Sequence, residues 1–183
     1  VLQRLQQTVA DSGRKVPCDY RSDAYCYFGD GKSPATLAFV GDSHALMIKE
    51  AVRQTASAMN TNIILVTLGA FCPPLLDLNT YTKTRTLNRG CRERRSDLFQ
   101  NLSSAGVTDI VLVGRWHAYM EPMAGVSLLP LKRDDTSAVE LRAVFLNSLK
   151  ETAGHIRTLD MSVHLMEQIP ESNCQVKTIL SQA

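Results

Sequence analysis

Leu37-Ala38-Phe39-Val40-Gly41-Asp42-Ser43-His44 is the stretch on which the fold turns: an apolar run that passes through Gly-Asp-Ser straight into a helical pattern. A short apolar run before a helix reads as a strand, so Ser43 falls at a strand-to-helix turn. Its hydroxyl then stands at the C-terminal edge of a sheet. Its backbone N–H stands at a helix start, where peptide dipoles favour developing negative charge. Both features suit a nucleophile. Gly41 allows a positive φ or the close approach of a second backbone, and Asp42 can cap the helix or brace the turn. An Asp-Ser pair before a helix is also an ordinary cap, so this motif alone does not separate the two uses.

Working outward, Leu46, Ile48, Val52, Thr55 and Met59 fall near one helical face, with Lys49, Glu50, Arg53 and Gln54 largely opposite. Residues 61–68 read as a second strand, apolar almost throughout, as expected when both faces of a sheet are covered. Strand, helix and strand make a right-handed parallel βαβ unit. A helix over 92–105 turns Leu98, Phe99 and Leu102 inward and ends at Gly106. Asp109 to Gly114 is a third strand. Ser137-Ala138-Val139-Glu140 has capping-box spacing and opens a helix to about Leu159 that buries Phe145, Leu149 and Ile156. A fourth strand runs from Ser162 to Ile169, where Pro170 ends it. This alternation predicts a single α/β domain over residues 36–183, three-layer α/β/α with a flavodoxin-like parallel sheet. Residues 1–35 read as a linker or docking segment: a short amphipathic helix with Leu2, Leu5 and Val9 on one face, then a loop over 14–35. Residues 69–90 and 115–136 are long connections leaving the C-terminal edge of the sheet, the side on which open α/β sheets bind ligands.

Composition narrows the function. A net charge of +2, with no Lys/Arg run interleaved with aromatics, argues against nucleic acid. The longest nearly apolar run, Ile63 to Leu76, is broken by Thr67, Gly69, Pro73 and Pro74 and is shorter than the ~20 residues a membrane-spanning helix needs. The first residues lack a basic region followed by an apolar one, so export information is expected outside this sequence. Cys18 and Cys26 flank a polar loop, and Cys72 and Cys91 bracket the first long connection; either pair could close its loop as a disulfide, leaving Cys174 over. Zinc is the competing use, but there is no Cys-x-x-Cys and no histidine at ligand spacing, so no metal is expected. Reduced thiols are the third possibility.

Gly-Asp-Ser-His after an apolar strand resembles the first block of the SGNH hydrolases, in which the serine is the nucleophile of a Ser-His-Asp set. Leu68-Gly69-Ala70-Phe71-Cys72-Pro73-Pro74-Leu75 and Val111-Leu112-Val113-Gly114-Arg115-Trp116 are similar to later blocks of one branch. That branch is the periplasmic SGNH domain fused behind a membrane acyltransferase-3 domain in O-antigen and related polysaccharide O-acetyltransferases. The resemblance runs from about Cys18 to about Cys174. It implies a periplasmic domain of an inner-membrane protein, and an oxidising compartment that favours the disulfide reading. It implies no cofactor bound by this domain, acetyl-CoA being the ultimate donor through the membrane domain of the same parent chain. It also implies an acceptor that is a bacterial polysaccharide or lipid-linked oligosaccharide. A glycan O-acetyl esterase and a non-catalytic glycan-positioning module are the alternatives.

Acyl transfer by a serine needs a base, a group to orient that base, and donors for the oxyanion. By the resemblance, Ser43 is the nucleophile and its N–H one donor, with the Gly69 N–H another. The family's asparagine donor is replaced here by the run Gly114-Arg115-Trp116-His117. Trp116 either lines an acyl or sugar pocket or belongs to the core, and Arg115 either stabilises charge or is a solvated loop residue. The family's Asp-x-x-His occurs nowhere in the sequence, so the histidines are weighed singly. His44 should point away from the serine hydroxyl. His117, in a loop at the correct edge, is the one local substitute, or else a surface histidine. His155 lies in a helix and His164 inside a strand. The expectation is that the parent protein supplies the dyad C-terminal to Ala183. The rival is a weakened or purely glycan-binding domain.

Overall fold

The computed structural model describes residues 25–81, 89–120, 127–130 and 138–167. Its elements in chain order are β1 (Tyr25–Phe28), β2 (Leu37–Gly41), α1 (Ser43–Met47), α2 (Lys49–Ala58), β3 (Ile63–Thr67), β4 (Leu78–Tyr81), α3 (Arg89–Arg95), α4 (Leu98–Ser104), β5 (Asp109–Val113), α5 (Trp116–Met120), β6 (Ser127–Pro130), α6 (Ala138–Thr158) and β7 (Ser162–Leu165).

The main sheet has the order β1-β3-β2-β5-β7. β3, β2, β5 and β7 run parallel, and β1 pairs antiparallel with β3 along the edge. Taken alone, the parallel strands have the flavodoxin-like order, second, first, third, fourth. All five residues of β3 are buried, because helices or loops cover both of its faces. On one face Val40, Ile64, Val66, Ile110 and Leu112 pack against Phe99 and Leu102 of α4 and Phe145 and Ile156 of α6. On the other, Ile63, Leu65 and Val113 meet Ala45, Ile48, Val52 and Ala56 of the α1–α2 segment. The result is the expected three-layer α/β arrangement, and each large side chain it buries stabilises by about 1.5–3 kcal/mol.

Several elements differ from the sequence reading. The helix after Ser43 breaks at Ile48 (φ −92°, ψ 0°), and its inward face is Ala45, Ile48, Val52 and Ala56. Thr55 is exposed, and Met59, which follows the last residue of α2, is 69% exposed, so the buried stripe runs through Ala56 instead. The segment read as one helix over 92–105 is two, α3 and α4. The second ends as expected: Gly106 takes φ +91°, its N–H donates to the Ser103 carbonyl (2.9 Å), and the Val107 N–H donates to Leu102 (3.1 Å). The two long connections are not wholly irregular, since β4 and β6 pair antiparallel, Leu78 opposite Pro130 and Tyr81 opposite Ser127. The loop read over 14–35 contains β1, in which Tyr25 and Tyr27 face one core and Cys26 and Phe28 the other. The amphipathic helix over 1–12, the Ser137 cap, Cys18 and Cys174 lie outside the described residues.

Candidate active site

The site is built where β2 and β5 end side by side. A Cβ on Gly41 would lie 2.3 Å from the Val113 carbonyl oxygen. Of the two uses open to that glycine, the close approach of a neighbouring backbone is the one realised. β2 lies between β3 and β5, so the strand order reverses there, the position at which open α/β sheets form their ligand crevice.

Asp42, only 1% exposed, ties the turn after β2 to the turn after β5. Its Oδ1 accepts from the His44 N–H at 2.7 Å, which caps α1. Its Oδ2 accepts from the Arg115 N–H at 3.0 Å and from the Tyr119 hydroxyl. The sequence left capping and bracing as alternatives, and the carboxylate does both. Burial, and after it the charge and hydrogen bond of Asp42, push the Tyr119 phenol well above its ordinary range, so it remains a donor. His44 is half-buried, with Nδ1 3.3 Å from Asp42 Oδ1.

Ser43 is half-buried and opens α1. Leu68 N–H donates to the Gly41 carbonyl at 2.8 Å, carrying the β2–β3 pairing one step past the strand ends. Gly69 therefore follows directly beside the Asp42-Ser43 turn, with φ +91°, a conformation that favours glycine. Among the described residues neither the Ser43 nor the Gly69 N–H has a backbone acceptor, so both donors are open to an oxyanion. The Arg115 N–H is not, being held by Asp42.

The loop carrying Gly69 is fixed from three sides, by the Cys72–Cys91 pair that the sequence proposed and by two sets of residues that the sequence reading did not single out. Cys72 is disulfide-bonded to Cys91 of α3, as one of the proposed pairs required. Arg95, 5% exposed, donates to the carbonyls of Pro73, Leu75 and Leu78. Burial pulls its guanidinium down to about 10. On α6, the Ser148 hydroxyl donates to the Leu76 carbonyl, while Thr152 Oγ1 accepts from Leu76 N–H at 2.8 Å and donates to the Ser148 carbonyl at 2.7 Å. Cys26 is also disulfide-bonded, but the proposed pairing with Cys18 lies outside the described residues.

Trp116 is a core residue, which removes it from the acyl or sugar pocket. It is 5% exposed, its Nε1 donates to the Met166 carbonyl at 2.7 Å, and its ring centroid lies 5.9 Å from that of Phe145. A Cβ on Gly114 would come within 2.9 Å of the indole, so the glycine before Arg115 makes room for the ring. His117, next along α5, is exposed and makes no hydrogen bond to Ser43. His155 is exposed on α6 with its ring edge toward Phe99, centroids 6.4 Å apart. His164 Nε2 lies 3.4 Å from Asp109 Oδ1, at the start of β5 and so toward the opposite end of the sheet. All four histidines lie among the described residues, and none is hydrogen-bonded to the Ser43 hydroxyl. Among the described residues, the Ser43 turn and the two open N–H groups thus come together with no histidine hydrogen-bonded to the Ser43 hydroxyl.

A family model described as SGNH domain (fused to AT3 domains) matches residues 11–182. No curated protein and no solved structure matches the chain.

Proposed function

The chain belongs to the SGNH domain family that is fused to AT3 domains, a module of acyl-transfer or esterase type, and we propose that it carries acetyl groups for a bacterial cell-surface polysaccharide O-acetyltransferase in the periplasm. The observation that supports this most is the Asp42 bridge, which holds Ser43 at the strand-order reversal beside Gly69 with both N–H groups open. Ser43 Oγ gives its proton to a general base and attacks the acetyl carbonyl delivered by the membrane domain, the Ser43 and Gly69 N–H groups receive the oxyanion, and its collapse breaks the bond to the donor group, which leaves with the proton. The acetyl remains on Ser43 as an ester until a sugar hydroxyl of the polysaccharide or lipid-linked oligosaccharide takes it. Acetyl-CoA is the ultimate donor through the membrane domain, and this domain binds no cofactor of its own. This reading needs a general base for the Ser43 hydroxyl, and among the described residues no histidine is hydrogen-bonded to it.

The test is intact-mass analysis of the chain extended past Ala183, after exposure to an activated acetyl ester. The proposal requires one added acetyl that disappears in Ser43→Ala and moves to an oligosaccharide when one is supplied. Free acetate with no acetylated sugar makes the domain a glycan O-acetyl esterase. Unchanged cellular acetylation in Ser43→Ala makes it a non-catalytic positioning module.

A further inference from the structure

We propose that Arg94 selects glycan acceptors carrying an oxyanionic group, a carboxylate or a phosphate ester, close to the hydroxyl that is acylated. The proposal rests on the acyl-transfer reading of Ser43, since it names the class of acceptor that reading needs. A Cβ on Gly69 would lie 3.6 Å from Arg94 Nη2 and 3.8 Å from its Cζ. The guanidinium therefore lies over the residue whose N–H faces the oxyanion, at the rim of the nucleophile turn.

Three features separate this arginine from an ordinary surface cation. Among the described side chains of α3, Arg92, Arg94 and Arg95 stand against one acidic residue, Glu93, with Asp77 acting on Arg95, so the balance of charge there is positive. The helix is anchored from behind by the Cys72–Cys91 disulfide and by the buried Arg95, which hold it against the Gly69 loop. Finally, exposed Arg94 has no carboxylate within ion-pair distance among the described residues, whereas exposed Arg53 is held by Glu50 through an Nε bond of 2.8 Å. A guanidinium on an anchored helix, with its donors unspent, presents a planar fork suited to carboxylate or phosphate oxygens.

The experiment titrates the chain with a digalacturonate, with galactose 1-phosphate and with neutral digalactoside, following backbone amide shifts at low ionic strength. At least one anionic sugar should bind about fivefold more tightly than the neutral one, the upper end for an exposed charge pair. That preference should fall below about twofold in Arg94→Ala, return in part in Arg94→Lys, and fade as salt is added. Tighter binding of the uronate identifies a carboxylate acceptor, and tighter binding of the phosphate a phosphorylated one. Arg157→Gln makes the same change of charge on exposed α6 and should keep the preference. Equal binding of charged and neutral sugars, a preference that survives Arg94→Ala, or equal loss in Arg157→Gln would overturn the proposal. Binding does not require Ser43, so Ser43→Ala should keep the preference. If the preference is present while no acetyl appears on Ser43, the acyl-transfer reading fails and the anion site stands; the reverse result does the opposite.

Discussion

Replacing Asp42 by asparagine tests the bridge that organises the site. The carboxylate is 1% exposed and receives three hydrogen bonds, from the His44 N–H, the Arg115 N–H and the Tyr119 hydroxyl. Asparagine offers one oxygen and one NH₂. With the oxygen toward His44, the NH₂ confronts the Arg115 N–H and Tyr119. The phenol can turn to accept, but the Arg115 N–H cannot. With the amide flipped, the NH₂ confronts the His44 N–H. Either way one backbone donor loses its acceptor, at about 1–3 kcal/mol, and the remaining bonds lose their ionic character. Asp42→Asn should therefore cost about 2–4 kcal/mol, while Tyr119→Phe, which leaves Asp42 two donors, should cost about 1 kcal/mol. Urea denaturation at neutral pH measures both, with the midpoint falling and the slope unchanged. Acetyl loading of Ser43 should slow in Asp42→Asn as the turn loses its register. An Asp42→Asn protein within about 0.5 kcal/mol of the parent, or a larger loss in Tyr119→Phe than in Asp42→Asn, would refute the reasoning.

The other predictions concern the frame around this bridge. Cys72 and Cys91 are fully buried and separated by 19 residues, so replacing both by alanine should lower stability by about 3 kcal/mol, read from the urea midpoint. An unchanged midpoint would show that the crosslink does not constrain the unfolded chain. The Tyr119 phenol titrates above its ordinary value of 10.0 in the folded chain, so its contribution is complete below that value and is lost as pH rises further, while the unfolded chain ionises first. Between pH 10 and 11 the parent should lose up to about 1.4 kcal/mol more than Tyr119→Phe, and parallel alkaline profiles would contradict this. Thr67 Oγ1 is buried with no hydrogen-bond partner among the described residues, so Thr67→Val should raise stability by up to about 1 kcal/mol in the same urea experiment. A loss would mean that the hydroxyl has a partner in solution.

What the sequence carried legibly was local. A strand's apolar run, the glycine and aspartate that follow it and the start of the helix beyond are written within a dozen residues, so the place of Ser43 is legible from Leu37 to His44, and the apolar run over 61–68 completes the βαβ order. Elements whose stability comes from distant partners were harder to read. β4 and β6 are four residues each and gain their definition from one another across the two long connections. β1 did carry a signal in its alternating Tyr25-Cys26-Tyr27-Phe28, but cysteines, glycines and a proline around it read more strongly as loop. The break at Ile48 has no proline or glycine to announce it. Ala45, Ile48, Val52 and Ala56 pack on one sheet face on either side of it, and nothing in the structure explains the break itself.

The same division runs through the site and explains why its most consequential contacts were missed. Ser43 and Gly69 could be placed because a turn at a strand end is a local pattern, but nothing local makes Tyr119 a partner of a residue 77 positions earlier. Arg95, in a run of arginines, reads as a solvated helix face until three carbonyls of the Gly69 loop are found around it. Ser148 and Thr152 are one turn apart on α6, which the apolar periodicity treats as neutral, yet together they satisfy both backbone groups of Leu76. Trp116 stays open in the sequence between a pocket wall and the core, and only the distant Met166 carbonyl and the space left by Gly114 make it core. Chemistry at this site is therefore named by short motifs, while its rigidity is supplied by polar side chains 17 to 77 residues away in sequence. A buried polar side chain is retained only where its hydrogen bonds are complete. Arg95, Ser148 and Thr152 consequently mark the Gly69 loop as a part of the fold that must hold its shape, which an oxyanion donor requires and a mere connection does not.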